Sequence, residues 1–262
     1  MKAKGKLAKK VIYALPVVMA ALMLLTFSLP VQAASTDTNI ESAARNSHVF
    51  TSYLKDDDIK VQSKDGAVTL TGSVATKLHK SMAGETVANL PEVKSVDNQL
   101  DVEGEVPAEL SDAWLLTKVK TALLFHRSVS AVTEVDVKDG IVTLSGVADN
   151  QAQKELTTEY AKDIDGVKDV KNEMTVAKSS QEKQSLGDKI GEKIDDASIT
   201  TMVKMTLLSH RSTSAFKTSV TTKDGVVTLS GKAGNQAEID LTEKLSNDVD
   251  GVQSVQNNMT VK

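Results

Sequence analysis

The sequence predicts an α+β fold: three tandem αββαβ modules, each a three-stranded mixed sheet with two helices on one face, behind an N-terminal signal helix. Three observations predict it. Lys-Asp-Gly recurs at 64–66, 138–140 and 223–225, and each copy runs on into Val-Thr-Leu-x-Gly at 68–72, 142–146 and 227–231. An asparagine follows each turn glycine by 32 residues, at Asn98, Asn172 and Asn257. Each unit then closes as Val-x-Asn-x-Leu/Met-x-Val, over 96–102, 170–176 and 255–261. Self-similarity at fixed spacing marks one supersecondary unit made several times.

The first element is an address. Lys2, Lys4, Lys6, Lys9 and Lys10 precede an apolar run over 11–29, Pro30 breaks the helix, and Val31 and Ala33 stand at the −3 and −1 positions of a cleavage site. This is the layout of a secretory signal peptide, 1–33, cut after Ala33. The competing reading is a retained anchor, because the run nearly spans a bilayer. The absence of a twin arginine favours the general export route to the periplasm. Cleavage removes five lysines and no acids, taking the formal net charge from −4 to −9. With no cysteine in the chain, disulfides, thiolate metal sites, cysteine nucleophiles and a cysteine-borne lipid anchor are excluded. Nearly balanced charge with only one Trp, three Tyr and four Phe argues against nucleic acid as a partner.

The modules span 36–103, 111–177 and 194–262. Each begins with a helix. In the second, Ser111 or Asp112 is the candidate cap, and Leu115, Val119 and Leu123 recur at helical spacing with Ala122 beside them. Ile199, Val203 and Leu207 repeat that stripe in the third. A hairpin follows. The two-residue Asp-Gly loop needs positive φ at both positions. Its register pairs Val137 with Val142 and Val135 with Leu144 on one face. Lys-Asp-Gly is thus a turn and no phosphate loop, since glycines are sparse and no helix starts there. The second helix opens with Asn150-x-x-Gln153 or Asn235-x-x-Glu238, both like capping boxes. Its expected buried face is Ala152, Leu156, Tyr160 and Ile164, matched by Ala237, Leu241, Leu245 and Val249. In the last strand Asn172 lies on the apolar side among Val170, Met174 and Val176, where it must bond a local backbone group. Residues 103–107 join the first two units. The linker 178–193 keeps a four-residue apolar period through Leu186 and Ile190 into Ile194, so it is read as helical or as packing beside the third unit. Modules of this size bury only about 60% of their unfolded surface, so docking between neighbours would help them.

With these motifs in view, the chain resembles the BON domain family, named for bacterial OsmY and nodulation proteins. The resemblance rests on Lys-Asp-Gly-x-Val-Thr-Leu-x-Gly and on Gly166, Val167, Val170 and Asn172, repeated as Gly251, Val252, Val255 and Asn257. It covers nearly all of the exported part in three copies and is similar to OsmY-type, osmotically inducible periplasmic proteins with one module added. The first copy departs, with Glu92 and Val93 in place of Gly-Val. The resemblance implies the helix-strand-strand-helix-strand fold, an envelope location, non-enzymatic binding to phospholipid surfaces and a link to osmotic or envelope stress.

Chemistry is sparse. The histidines are His48, His79, His126 and His210, and no two lie three to five residues apart, so no helical metal pair exists. There is no G-x-S-x-G nucleophile elbow, and neither enzymatic activity, a small-molecule substrate nor a cofactor is expected. His-Arg-Ser recurs at 126–128 and 210–212, at the end of the first helix of units two and three. It reads as a helix C-terminus stabilised by positive charge, worth roughly 0.3–1 kcal/mol, or as a cationic lip for phosphate headgroups. Trp114, Lys118, Thr121 and Phe125 share a face turned away from Leu115 and Val119. That face suits a membrane interface, and equally a sheet edge or a neighbouring module. The expected lipid-contact residues are therefore Trp114, Lys118, Phe125, His126, Arg127, His210 and Arg211, with a peripheral phospholipid surface as partner. The alternative is a chaperone-like or scaffolding protein that contacts other envelope proteins through exposed sheet edges.

Overall fold

A computed structural model of the chain describes residues 30–103, 108–129, 132–177, 193–213 and 217–262. Of the predicted signal segment 1–33, residues 1–29 lie outside the described residues and residues 30–33 are helical; of the predicted linker 178–193, residues 178–192 lie outside them. Among the described residues, no helix is long and apolar enough to cross a membrane.

The fold is α+β, one pattern three times. The first unit contains α1 (Pro30–Asn46), a π-helical turn (Val49–Tyr53), β1 (Asp58–Lys64), β2 (Ala67–Val74), α2 (Lys77–Ala88), β3 (Ser95–Asn98) and β4 (Asp101–Val102). The second contains α3 (Asp112–Leu124), β5 (Glu134–Lys138), β6 (Ile141–Ser145), β7 (Val147–Ala148), α4 (Gln151–Lys162), β8 (Asp169–Asn172) and β9 (Thr175–Val176). The third contains α5 (Asp196–Ser209), β10 (Thr218–Lys223), β11 (Val226–Ala233), α6 (Gln236–Asn247) and β12 (Ser254–Val261). In every unit the second hairpin strand is central, antiparallel to the first and parallel to the last.

Local chemistry accounts for these elements. Asp65, Asp139 and Asp224 have φ of 54°, 55° and 50°, and the following glycines are also left-handed, as a tight hairpin turn requires. The register pairs Val137 with Val142 and Val135 with Leu144. The glycine closing Val-Thr-Leu-x-Gly has a separate reason: a Cβ on Gly72 would lie 2.0 Å from the Asp58 carbonyl oxygen of the partner strand. Asn150 Oδ1 accepts from Gln153 N, and Gln153 Oε1 accepts from the Asp149 amide, one residue before the N-cap, an offset form of the expected capping box. The module asparagine ends β3 and β8 just before a break in the last strand, and lies within the unbroken β12. Asn172 Nδ2 donates to Lys154 O and its Oδ1 accepts from Met174 N, and Asn98 and Asn257 repeat both bonds.

A further recurrence ties each first helix to its hairpin. Ser111 caps α3 through Trp114 N, which leaves the Asp112 carboxylate to accept from Asp139 N and Gly140 N at 2.7 and 2.9 Å. Asp37 and Asp196 make the same pair of bonds to the other two turns. These hydrogen bonds hold the Asp112 carboxyl below the ordinary carboxylate range, and the bonds from Ser63 and the turn amides do so for Asp37.

Two expectations are corrected by packing. The buried face of the second helix is not centred on Ala152 and Leu156 or on Ala237 and Leu241. Ala152 and Ala237 are exposed, Leu156 and Leu241 are half-buried, and Thr157 and Ala161, or Thr242 and Ser246, face inward. Thr157, Thr242 and Ser246 return their hydroxyls to the carbonyl four residues back, so small polar side chains satisfy themselves and let elements approach closely. The second correction concerns independence. The first and third units share one hydrophobic core, which also takes Phe125 from the second unit, and the second unit keeps a core of its own. Helix α5 lies at the junction, packed against α2, α3 and α6 and buried on nearly every side. An isolated unit would expose much of this helix.

Candidate functional site

The predicted site residues divide into two places. Phe125, His126 and His210 are buried and do not reach the outer surface, so a lipid-facing strip through them is corrected. They form the junction between the second and third units, and the arrangement is reciprocal. The chain after α3 pairs with the chain after α6 through Arg127 N to Asp248 O at 2.9 Å and Asp250 N to Phe125 O at 3.1 Å. The chain after α5 pairs with the chain after α4 through Arg211 N to Asp163 O at 3.0 Å.

Side chains repeat this exchange. His126 Nδ1 lies 3.1 Å from Asp248 Oδ2, and His210 Nδ1 lies 3.0 Å from Asp163 Oδ2. Ser128 Oγ donates to Asp248 and Ser212 Oγ donates to Asp163. Arg127 and Arg211 stand beside the same carboxylates at 3.8 and 3.7 Å, and Arg127 also donates to the carbonyls of Asn247 and Val252. Both arginines are half-exposed, yet each has a carboxylate partner in the other unit. Between the two halves, His126 Nε2 and His210 Nε2 are 3.4 Å apart. Tyr160 stacks on His126 with ring centroids at 4.0 Å and donates its hydroxyl to Asp248 at 2.9 Å.

The electrostatics follow from burial and pairing. Burial pushes His126 below its ordinary value, the hydrogen bond and charge of Asp248 pull the other way, and His210 adds to the lowering. Burial alone would raise Asp248, but the bonds from His126, Ser128 and Tyr160 hold it below the usual carboxylate range. Asp163 is held low against burial by His210 and Ser212 in the same way. Burial, then the Asp248 charge, drives Tyr160 upward. Tyr53 of the first unit meets Phe125 edge-on at 5.3 Å, and burial with the Asp250 charge pushes its phenol up to about 12.

The aspartates of this junction were not singled out in the sequence reading. A signal exists: Asp-x-Asp-Gly-Val occurs at 163–167 and 248–252, in the same two units that carry His-Arg-Ser. In the first unit Asn89 stands where those two have Asp, each 23 residues after its turn glycine. That unit docks differently. The amides of His48 and Val49 donate to Asp195 Oδ2 at 2.8 Å and Ser198 Oγ at 3.0 Å, beside the Glu85–Lys204 ion pair at 2.8 Å.

The second place is the outer side of α3. Trp114 is partly buried, packed against the core of the second unit, and the Lys118 ammonium sits 4.6 Å from the centre of its ring. Leu110 and Leu124, at 61% and 48% exposure, flank this pair along the chain, whereas Thr121 and Phe125 are covered. Trp114 and Lys118 thus remain together on the surface, apart from the buried histidines. Among the described residues, no group of three or more His, Cys, Asp or Glu side chains is arranged to hold a metal ion.

A family profile described as the BON domain matches residues 36–104, 111–178 and 195–262. The chain is 32% identical over 208 residues to Osmotically-inducible protein Y of Escherichia coli K12, covering 78% of this chain and 98% of that protein. It is 30% identical over 146 residues to an uncharacterized protein in the gshII 5' region of Anaplasma centrale, covering 56% of this chain and 91% of that one. Among solved structures, CdsD, a structural protein of the type III secretion system of Chlamydia trachomatis, aligns at 16% identity and a TM-score of 0.24, over 86% of this chain and 92% of that one. With its domain profile matched three times over most of the sequence, the chain belongs to the BON domain family.

Proposed function

We propose that the protein is a non-enzymatic, periplasmic BON protein that binds phospholipid surfaces and supports the cell envelope under osmotic stress. The observation that carries the lipid reading is the outer side of α3. An amphipathic ring, partly buried against the second unit's core, keeps some exposed surface with a lysine ammonium over it, and Leu110 and Leu124, before and after it along the chain, are exposed. Such a set places apolar atoms at headgroup depth and a cation beside phosphate. The stress assignment draws on the likeness to an osmotically inducible protein. The net charge is negative, but over a Debye length of about 8 Å only the local patch acts on a headgroup.

Trp114 is the only tryptophan, so its emission reports directly on contact. Vesicles containing phosphatidylglycerol should shift the emission to the blue and carry the protein upward in a flotation gradient at low salt. Trp114→Ala and Lys118→Glu should both lower the floated fraction, and Arg211→Ala, on an arginine paired with Asp163, should not. If the wild type stays in the soluble fraction with unshifted emission, the reading fails. A second reading, a scaffold for other envelope proteins, is favoured by β1, β5 and β10, each of which pairs on one side only among the described residues. Recovery of an envelope protein that protects the β5 amides from exchange, with no flotation, would favour it.

A further inference from the structure

The histidine junction contains more than docking requires, and a count of its protons shows what it does. Each Nδ1 faces an aspartate oxygen at about hydrogen-bond distance, 3.1 Å for His126 and 3.0 Å for His210, so each Nδ1 carries a proton. That leaves two Nε2 atoms facing each other at 3.4 Å between side chains with no exposed surface. Two bare nitrogens would set lone pair against lone pair. Two protonated nitrogens would set N–H against N–H and bury two like charges. One proton between them satisfies both.

We propose that His126 and His210 share one proton, and that this proton is a pH-sensitive clasp fastening the second unit to the third. The surrounding charges fit a single imidazolium. Asp248 and Asp163 back the two rings, Arg127 and Arg211 lie against those carboxylates, and Asp250 adds a negative charge within electrostatic reach of His126. Tyr160 covers one ring and donates to Asp248, while Ser128 and Ser212 each donate to one aspartate. From the first unit, Tyr53 approaches Phe125 next to this cluster. Every carboxylate oxygen turned toward the rings has a donor, so the Nε2 proton is the one whose number is open.

The sign follows from counting protons on each side. In separated units both imidazoles are open to solvent and each can take its own proton. As pH falls the separated state takes up to two protons where the docked pair takes one, so docking weakens, by up to tenfold per pH unit. Acidification of the surrounding medium therefore opens the junction. Titration of the carboxylates alone would give no loss until far lower pH.

The test uses the whole chain. It has no native cysteine, so Lys171→Cys and Gln256→Cys, both at exposed positions, accept a spin-label pair across the two units. The expected result is one narrow distance at pH 7 that broadens by pH 5, with far-UV circular dichroism unchanged. In 15N-histidine spectra at pH 7 both Nδ1 atoms should be protonated, with a single proton exchanging between the Nε2 atoms. The double variant His126→Gln, His210→Gln should lose the pH dependence between 7 and 5, whatever its docking strength. A wild type with one sharp distance down to pH 4.5 overturns the proposal. So does a double variant with the same transition, or zinc titration that shifts both Nε2 signals at one equivalent, which would place a metal where the proton is assigned.

Discussion

Asp195→Ala is the sharpest test of how the units are held together. Asp195 is the N-cap of α5, where its carboxylate accepts from Ser198 N at 2.9 Å and from Ser198 Oγ at 2.8 Å. The same carboxylate takes the His48 amide of the first unit at 2.8 Å, and the oriented Ser198 hydroxyl accepts from Val49 N at 3.0 Å. Loss of a cap costs about 1 kcal/mol. Removing the acceptor from the amide in this crowded junction costs about 1–3 kcal/mol more. The substitution should therefore lower unfolding stability by about 2–4 kcal/mol. Ser111→Ala is the internal control: Ser111 caps α3 through Trp114 N and, among the described residues, its side chain bonds only within its own helix, so about 1 kcal/mol is expected. Urea unfolding, followed by circular dichroism and by amide exchange in α1 and α5, measures both. If Asp195→Ala costs no more than Ser111→Ala, or exchange in the first unit is unaltered, the shared carboxylate does not couple the units.

Glu92 has φ of 67° where the other copies place Gly166 and Gly251, so Glu92→Gly should relieve strain and stabilise the first unit by about 1 kcal/mol in the same urea assay. Gly72→Ala should destabilise by about 3 kcal/mol or more, because its Cβ would meet the Asp58 carbonyl at 2.0 Å and no side chain can give way. Asn172→Leu should cost about 2–3 kcal/mol by removing the partners of Lys154 O and Met174 N together. Asp163 and Asp248 are held below their ordinary values, so their stabilisation is complete above about pH 4 and is lost as pH falls through the lower folded values. Asp248→Asn should flatten that acid limb of a thermal-melt series, and an unchanged limb would assign it elsewhere.

Features set by neighbours in sequence were readable without coordinates. Asp139 and Gly140 dictate a two-residue turn, the turn dictates register, and register puts Val135, Val137, Val142 and Leu144 on one face. Asn172 on an apolar side needs a nearby backbone partner, and Lys154 O and Met174 N are those partners. All of this is short-range geometry, repeated with the motif. The destination of a surface is different. Trp114 and Phe125 share one helical face by periodicity, yet one lies partly exposed at the edge of the second unit's core and the other is sealed into the core of the first and third units. His126 and Arg127 carry the same local signal as an exposed cationic helix end, and only the approach of Asp248 from a unit 120 residues away turns them into a junction. A helix period tells which residues point the same way and is silent on what will be packed there. That depends on the complementary shape and charge of another copy, which exists only once both copies have folded.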